Sequence, residues 1–145
     1  MVKVTIEVDP RNLQNFSGKI EQIKQKGLNY TAQGLLAQLQ KNSPVDTGLL
    51  RSWFFAEKSD SEVKIRTPAQ YAPFVNDGTG IYGPNKTPIY SAVVGHPFAF
   101  QVNGQMVYTK VIQGQKGQHF VERSISETEA KISQFYIKAI QEVLN

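Results

Sequence analysis

Apolar and polar residues alternate at the start of the chain, where Val2, Val4, Ile6 and Val8 are interleaved with Lys3, Thr5 and Glu7. A period of two is that of a half-buried strand. Asp9-Pro10 ends it, a good N-cap followed by the residue that suits a first helical position. Leu13, Phe16, Ile20, Ile23, Gly27, Tyr30, Leu35 and Leu39 then recur mostly every three or four residues, the stripe of an amphipathic helix. The helix ends near Lys41, because Pro44 disfavours helical geometry at Ser43. At ~1.5 Å per residue it is roughly 45 Å long, longer than a compact small domain is wide. Gly27 and Gly34 weaken it relative to alanine, so they mark either close packing or a bend.

A polar turn over residues 43–48 leads into a strand over 52–58 that holds Trp53, Phe54 and Phe55. Residues 59–61 turn, 62–67 alternate as the hairpin partner, and Pro68 closes the pair. Residues 71–75 form a short apolar element. Gly78, Gly80, Gly83, Pro84, Pro88 and Gly95 crowd the next stretch, which reads as a long loop over 78–95, mobile in the isolated chain. Asn103-Gly104 joins an apolar strand over 98–102 to another over 105–112, the dipeptide that a type I′ hairpin turn favours. From Phe120 onward Ile125, Ile132, Phe135, Tyr136, Ala139, Ile140, Val143 and Leu144 trace a second amphipathic helix. The pattern predicts one α+β domain over 1–145, with about five mostly antiparallel strands and a long N-terminal and a C-terminal helix packed on the sheet. Trp53, Phe54, Phe55, Tyr71, Phe74, Phe98, Phe100 and Phe120 are its expected core.

Composition narrows the chemistry more than the fold. Of the 145 residues 40% are hydrophobic and 19% charged, which argues against disorder. Zero cysteines excludes disulfides, thiolate metal sites and a cysteine nucleophile. The two histidines, His96 and His119, rule out a histidine-rich metal site, and neither stands at a triad-like offset. Charge in the first eight residues is unlike a signal peptide, and no apolar run nears the ~20 residues of a membrane span. Net charge is +4, and residues 78–121 hold Lys86, Lys110 and Lys116 with no acidic residue. Three lysines make a mildly positive surface, not a phosphate-gripping stripe.

Asp46-Thr47-Gly48 matches the core triplet of aspartic proteases, and Asp77 offers a second carboxylate for a dyad. The flanks are unlike those enzymes: Ser43-Pro44 precede the triplet and Leu49-Leu50-Arg51 follow it. Asp46 fits better as the cap of a turn that starts at Thr47. Gly78, Gly80 and Gly83 spell neither a phosphate loop nor a dinucleotide fingerprint. Neither an enzymatic activity nor a cofactor is expected.

The order of three segments resembles the tail-completion, or head–tail joining, proteins of long-tailed bacteriophages, often called minor tail components. The first is Ser43-Pro44-Val45-Asp46-Thr47-Gly48-Leu49-Leu50-Arg51-Ser52. The second runs from Tyr71-Ala72 to Asp77-Gly78-Thr79-Gly80-Ile81-Tyr82-Gly83-Pro84, with Asp77 where that family usually has Glu. The third is the hairpin over 98–112 followed by Gln118-His119-Phe120-Val121, with His119 in place of the usual Pro. The resemblance implies a structural virion protein, in a phage or prophage, that acts as a ring subunit around the DNA channel. Its implied partners are itself, in a ring of six, and the neighbouring neck and tail-tube proteins, with DNA only as passing cargo and no membrane. Its implied place is the head–tail junction, after assembly in the host cytoplasm. The implied structural or subunit-contact residues are Pro44, Asp46, Thr47, Gly48, Leu50, Arg51, Tyr71, Gly78, Thr79, Gly80, Tyr82, Gly83, Pro84 and Phe120. Two other readings stand beside it: a small basic nucleic-acid-binding module using residues 78–121, and an aspartic hydrolase acting through Asp46.

Overall fold

In the computed structural model the expected first helix, α1, runs over Pro10–Asn42, about 50 Å at 1.5 Å per residue. The structure describes residues 3–4, 10–45, 48–92 and 95–145, with backbone only for 10–14. The N-terminal strand and its Asp9 cap therefore fall outside the described residues, apart from Lys3 and Val4. The hairpin strands β1 (Phe54–Lys58) and β2 (Val63–Arg66) follow. After the short helix α2 (Ala72–Asp77) come β3 (Ile89–Tyr90), β4 (Phe98–Val102), β5 (Gln105–Thr109) and β6 (Val111–Ile112). Helices α3 (Phe120–Glu129) and α4 (Ile132–Leu144) close the chain.

The fold is α+β, and the strands among the described residues form three antiparallel pairs, β1–β2, β3–β6 and β4–β5, where a single sheet was expected. The C-terminal helix is interrupted at Ala130 and Lys131, although neither glycine nor proline stands there. The Thr128 hydroxyl donates to the Ser124 carbonyl, and the Lys131 N–H turns to the Thr128 carbonyl. Such back-bonding competes with the helical ladder and bends it.

The chain divides into two compact units: Met1–Lys41 with Trp53–Arg66 and Ser124–Asn145, and Asn42–Ser52 with Thr67–Arg123. In the first, α4 packs on α1 at Gly27 and Gly34, two of the three glycines in that helix. A Cβ at Gly34 would stand 2.7 Å from Phe135 Cζ, and one at Gly27 would run into the Tyr136 ring. Both glycines thus serve close packing. The Tyr30 hydroxyl donates to the Glu142 carboxylate, which Lys26 also meets at 3.2 Å, while Lys138 lies 4.5 Å from the Tyr30 ring centre. These contacts lower the carboxyl of Glu142 and raise the phenol of Tyr30 from their ordinary ranges, the shared hydrogen bond being the main cause of both.

In the second unit the 78–95 segment is tied down at two places. The Thr79 and Ile81 N–H groups donate to the Gln115 and Gln113 carbonyls at 2.9 and 2.8 Å. Further on, β3 pairs with β6, Ile89 opposite Ile112. The expected loop is therefore held against the 110–116 segment at these two places. The aromatic core is also smaller than expected. Phe120 is completely buried, whereas Phe54, Phe55, Tyr71, Phe74 and Phe100 are exposed.

Candidate functional site

The residues of the first motif build a small folded corner. Gly48 has φ +85 and precedes a 3-10 turn over Leu49–Arg51. Leu50 is buried beneath it, Arg51 Nε donates to the Ser43 carbonyl at 3.2 Å, and the Ser52 hydroxyl donates to the Gly48 carbonyl. Only the backbone angle demands glycine at 48, since a Cβ would meet no atom within 4 Å. Pro44 is half-buried at the start of this corner. Asp46 and Thr47 lie outside the described residues.

The second motif is a knot of backbone against backbone. Tyr71 stands at the N-cap of α2, and Gly78, with φ +90, leaves the helix to form a bridge with Lys116. A Cβ at Gly78 would lie 2.7 Å from the Gly117 nitrogen. At Gly80 (φ +62) and at Gly114 (φ +98) it would collide with the Gln113 and Thr79 carbonyls. Gln115 N–H donates to Thr79 Oγ1 at 2.9 Å, so the threonine secures the facing strand by both its backbone and its side chain. Gly83 packs against the Gly78 carbonyl, and Lys116 lies 5.8 Å from the centre of the Tyr82 ring. The glycines that spelled no phosphate loop are needed because two backbones meet where no side chain fits.

Asn76, buried at the end of α2, was not among the expected site residues. Its Oδ1 accepts from the Val121 N–H at 2.9 Å, and its Nδ2 donates to Glu122 at 3.0 Å and to Asp77 at 2.9 Å. Its backbone carbonyl accepts from the His119 N–H at 3.0 Å. Helix α3 has His119, not Ser or Asp, before its first residue, and Asn76 supplies the missing N-cap from elsewhere in the chain. His119 has φ +50, which a proline could not adopt, and it uses an N–H that proline lacks. Glu122 is held below its ordinary carboxyl range by its own backbone N–H, then by Asn76 and His119.

Gly78, Thr79, Gly80, Gly83 and Pro84 line one side of a cavity of about 360 Å³, with Phe74 exposed at its rim. It brings together no cluster of acids, bases or nucleophiles. Among the described residues no three His, Cys, Asp or Glu could hold a metal ion together. Lys86, Lys110 and Lys116 are all exposed.

The β4–β5 hairpin departs from an ordinary surface. Its five residue pairs run without a bulge from Phe98–Thr109 to Val102–Gln105. Phe100, Val102, Met106, Val107 and Tyr108 are all exposed, Tyr108 by 65%. Phe100 and Val107 share one face, Met106 and Tyr108 the other. Both faces are thus apolar and open. Sequence reasoning located this hairpin but assigned its Phe98 and Phe100 to a core.

No curated protein and no solved structure matches this chain. A family model described as "Bacteriophage HK97-gp10, putative tail-component" matches residues 10–78. The span runs from the first residue of α1 through the folded corner to the first glycine of the knot; the hairpin and Phe120 lie beyond it. The expected resemblance to a phage tail protein is found there, and over residues 10–78 this chain is similar to the HK97-gp10-like family of phage tail components.

Proposed function

We propose that this chain is a structural subunit of the phage head–tail junction, joining copies of itself into a ring around the DNA channel, and that it catalyses no reaction. The match to a tail-component family carries the reading. The surface supports assembly. Exposed Phe54, Phe74, Tyr90, Tyr108 and Ile137 supply the apolar character that stable interfaces have.

In this role the chain sits in a phage or prophage virion after assembly in the host cytoplasm, as one of six copies touching neck and tail-tube proteins. DNA passes it without being held: three exposed lysines suit a weakly attractive wall, not a tight grip. No helix among the described residues is long and apolar enough to cross a membrane. The test is to delete the coding segment from the phage that carries it and image the lysate. Unjoined heads and tails, restored to whole particles by the chain supplied in trans, are expected. Normal particles without it would contradict the reading.

A further inference from the structure

Edge strands in soluble proteins are guarded by charges, prolines or bulges, because their unpaired N–H and C=O groups template pairing with another chain. The β4–β5 hairpin has none of these guards. No Lys, Arg, Asp or Glu occurs between Pro97 and Thr109, the register is unbroken, and neither strand has a second strand neighbour among the described residues. A two-stranded hairpin open on both faces is marginal by itself in water. On a chain of net charge +4, an acidic partner would be met through lysines and arginines. Another copy, carrying the same charge, is met best where charge is absent. The hairpin is that place.

Resting on the ring reading above, we propose that the hairpin joins the copies: the outer edge of β4 in one pairs with the outer edge of β5 in the next. The geometry is self-consistent. When hairpins stand side by side around a rotation axis, strands alternate in direction, so the junction is antiparallel like the pair within each hairpin. Each copy then uses one edge toward each neighbour, a heterologous contact that a ring closes and a two-fold dimer does not. Closure leaves no free edge.

The test uses the full chain, whose lack of cysteine makes introduced thiols specific. Ala99→Cys and Gln101→Cys place one thiol on β4; Met106→Cys and Tyr108→Cys place one on β5. Oxidised without a spacer, a β4 variant mixed with a β5 variant should form dimers. Either alone should not, because like strands of neighbouring copies lie two strand spacings, about 9.6 Å, apart. Amides of residues 98–109 should exchange at least tenfold more slowly in the assembled form than in the monomer. Phe100→Lys with Val107→Lys should weaken association about tenfold by setting like charges beside one another across the joint, with the monomer's circular dichroism unchanged. Disulfides within a single variant would show a two-fold dimer and overturn the proposal. So would monomers at every concentration, unprotected 98–109 amides in an assembled form, or no disulfide in any mixture. Presence of the chain in purified tails despite such a result would leave the functional reading standing and remove only this joint.

Discussion

Two regions of the same unit obey opposite rules. The glycine knot around Gly78 and Gly80 is over-determined: positive φ, backbone hydrogen bonds and collisions with any added Cβ all point to one arrangement. The β4–β5 hairpin is under-determined, since its own pairing is complete but its apolar faces and edges have no partner within the described chain. The knot carries the recognisable motif, and the motif describes internal construction. The hairpin enters the resemblance only as an apolar pattern around a glycine turn, without charge, and on the proposal above it is where a second copy fits. A short glycine-rich signature can thus mark a scaffold while the working surface lies elsewhere.

The sharpest way to break this comparison is Gly80→Ala. Strain at φ +62 and collision with the Gln113 carbonyl should together cost about 3–5 kcal/mol, measured by denaturant unfolding. Gly48→Ala, with the same backbone demand but open space around it, should cost only about 1–2 kcal/mol. Equal losses at the two sites would remove the knot's special standing. Next in size, Phe120→Ala should cost about 3–5 kcal/mol, because the ring is fully buried. Phe100→Ala in the hairpin should cost the isolated chain less than about 1 kcal/mol and be felt only in assembly. Asn76→Ala leaves the Val121 N–H and Glu122 without their partner and should cost about 1–3 kcal/mol. In hydrogen exchange, the Thr79 and Ile81 amides should be slow and residues 84–88 fast.

The smallest expected effect is on pH. Glu122 and Glu142 have depressed folded pKa values, so their contribution is present above the ordinary 4.5 and is lost as pH falls through the folded values. Tyr30 is raised, so its contribution is present below 10.0 and is lost as pH rises through its folded value. A thermal midpoint flat near neutrality, declining modestly at both extremes, is expected. Glu142→Gln should remove part of the acid decline.

Much of this was legible in the sequence. The stripe from Phe16 to Leu39 gave α1, and Asn103-Gly104 gave the β4–β5 turn, because both depend on local geometry alone. Gly27 and Gly34 announced a special role without saying which; only Tyr136 and Phe135 against them decide for packing. Alternation showed that residues 98–112 pleat but could not show that Phe100, Val102, Met106, Val107 and Tyr108 stay exposed, since burial depends on distant neighbours. For the same reason Asn76 escaped notice: its value lies in capping a helix that starts more than forty residues later. At the interruption the Lys131 N–H turns to the Thr128 carbonyl, a local choice that periodicity does not record. The charge arithmetic carried over directly, and replacing Lys86, Lys110 and Lys116 should abolish any low-salt DNA association while leaving assembly intact.

On the proposed reading, copies of this chain form a ring at the junction of head and tail. The decisive measurement is cryo-electron microscopy of particles assembled with the wild-type chain. A closed ring of this chain around the DNA channel at that level, its hairpins 98–109 edge to edge, is expected. Particles in which the chain is absent, or present as isolated copies elsewhere on the tail, would contradict it.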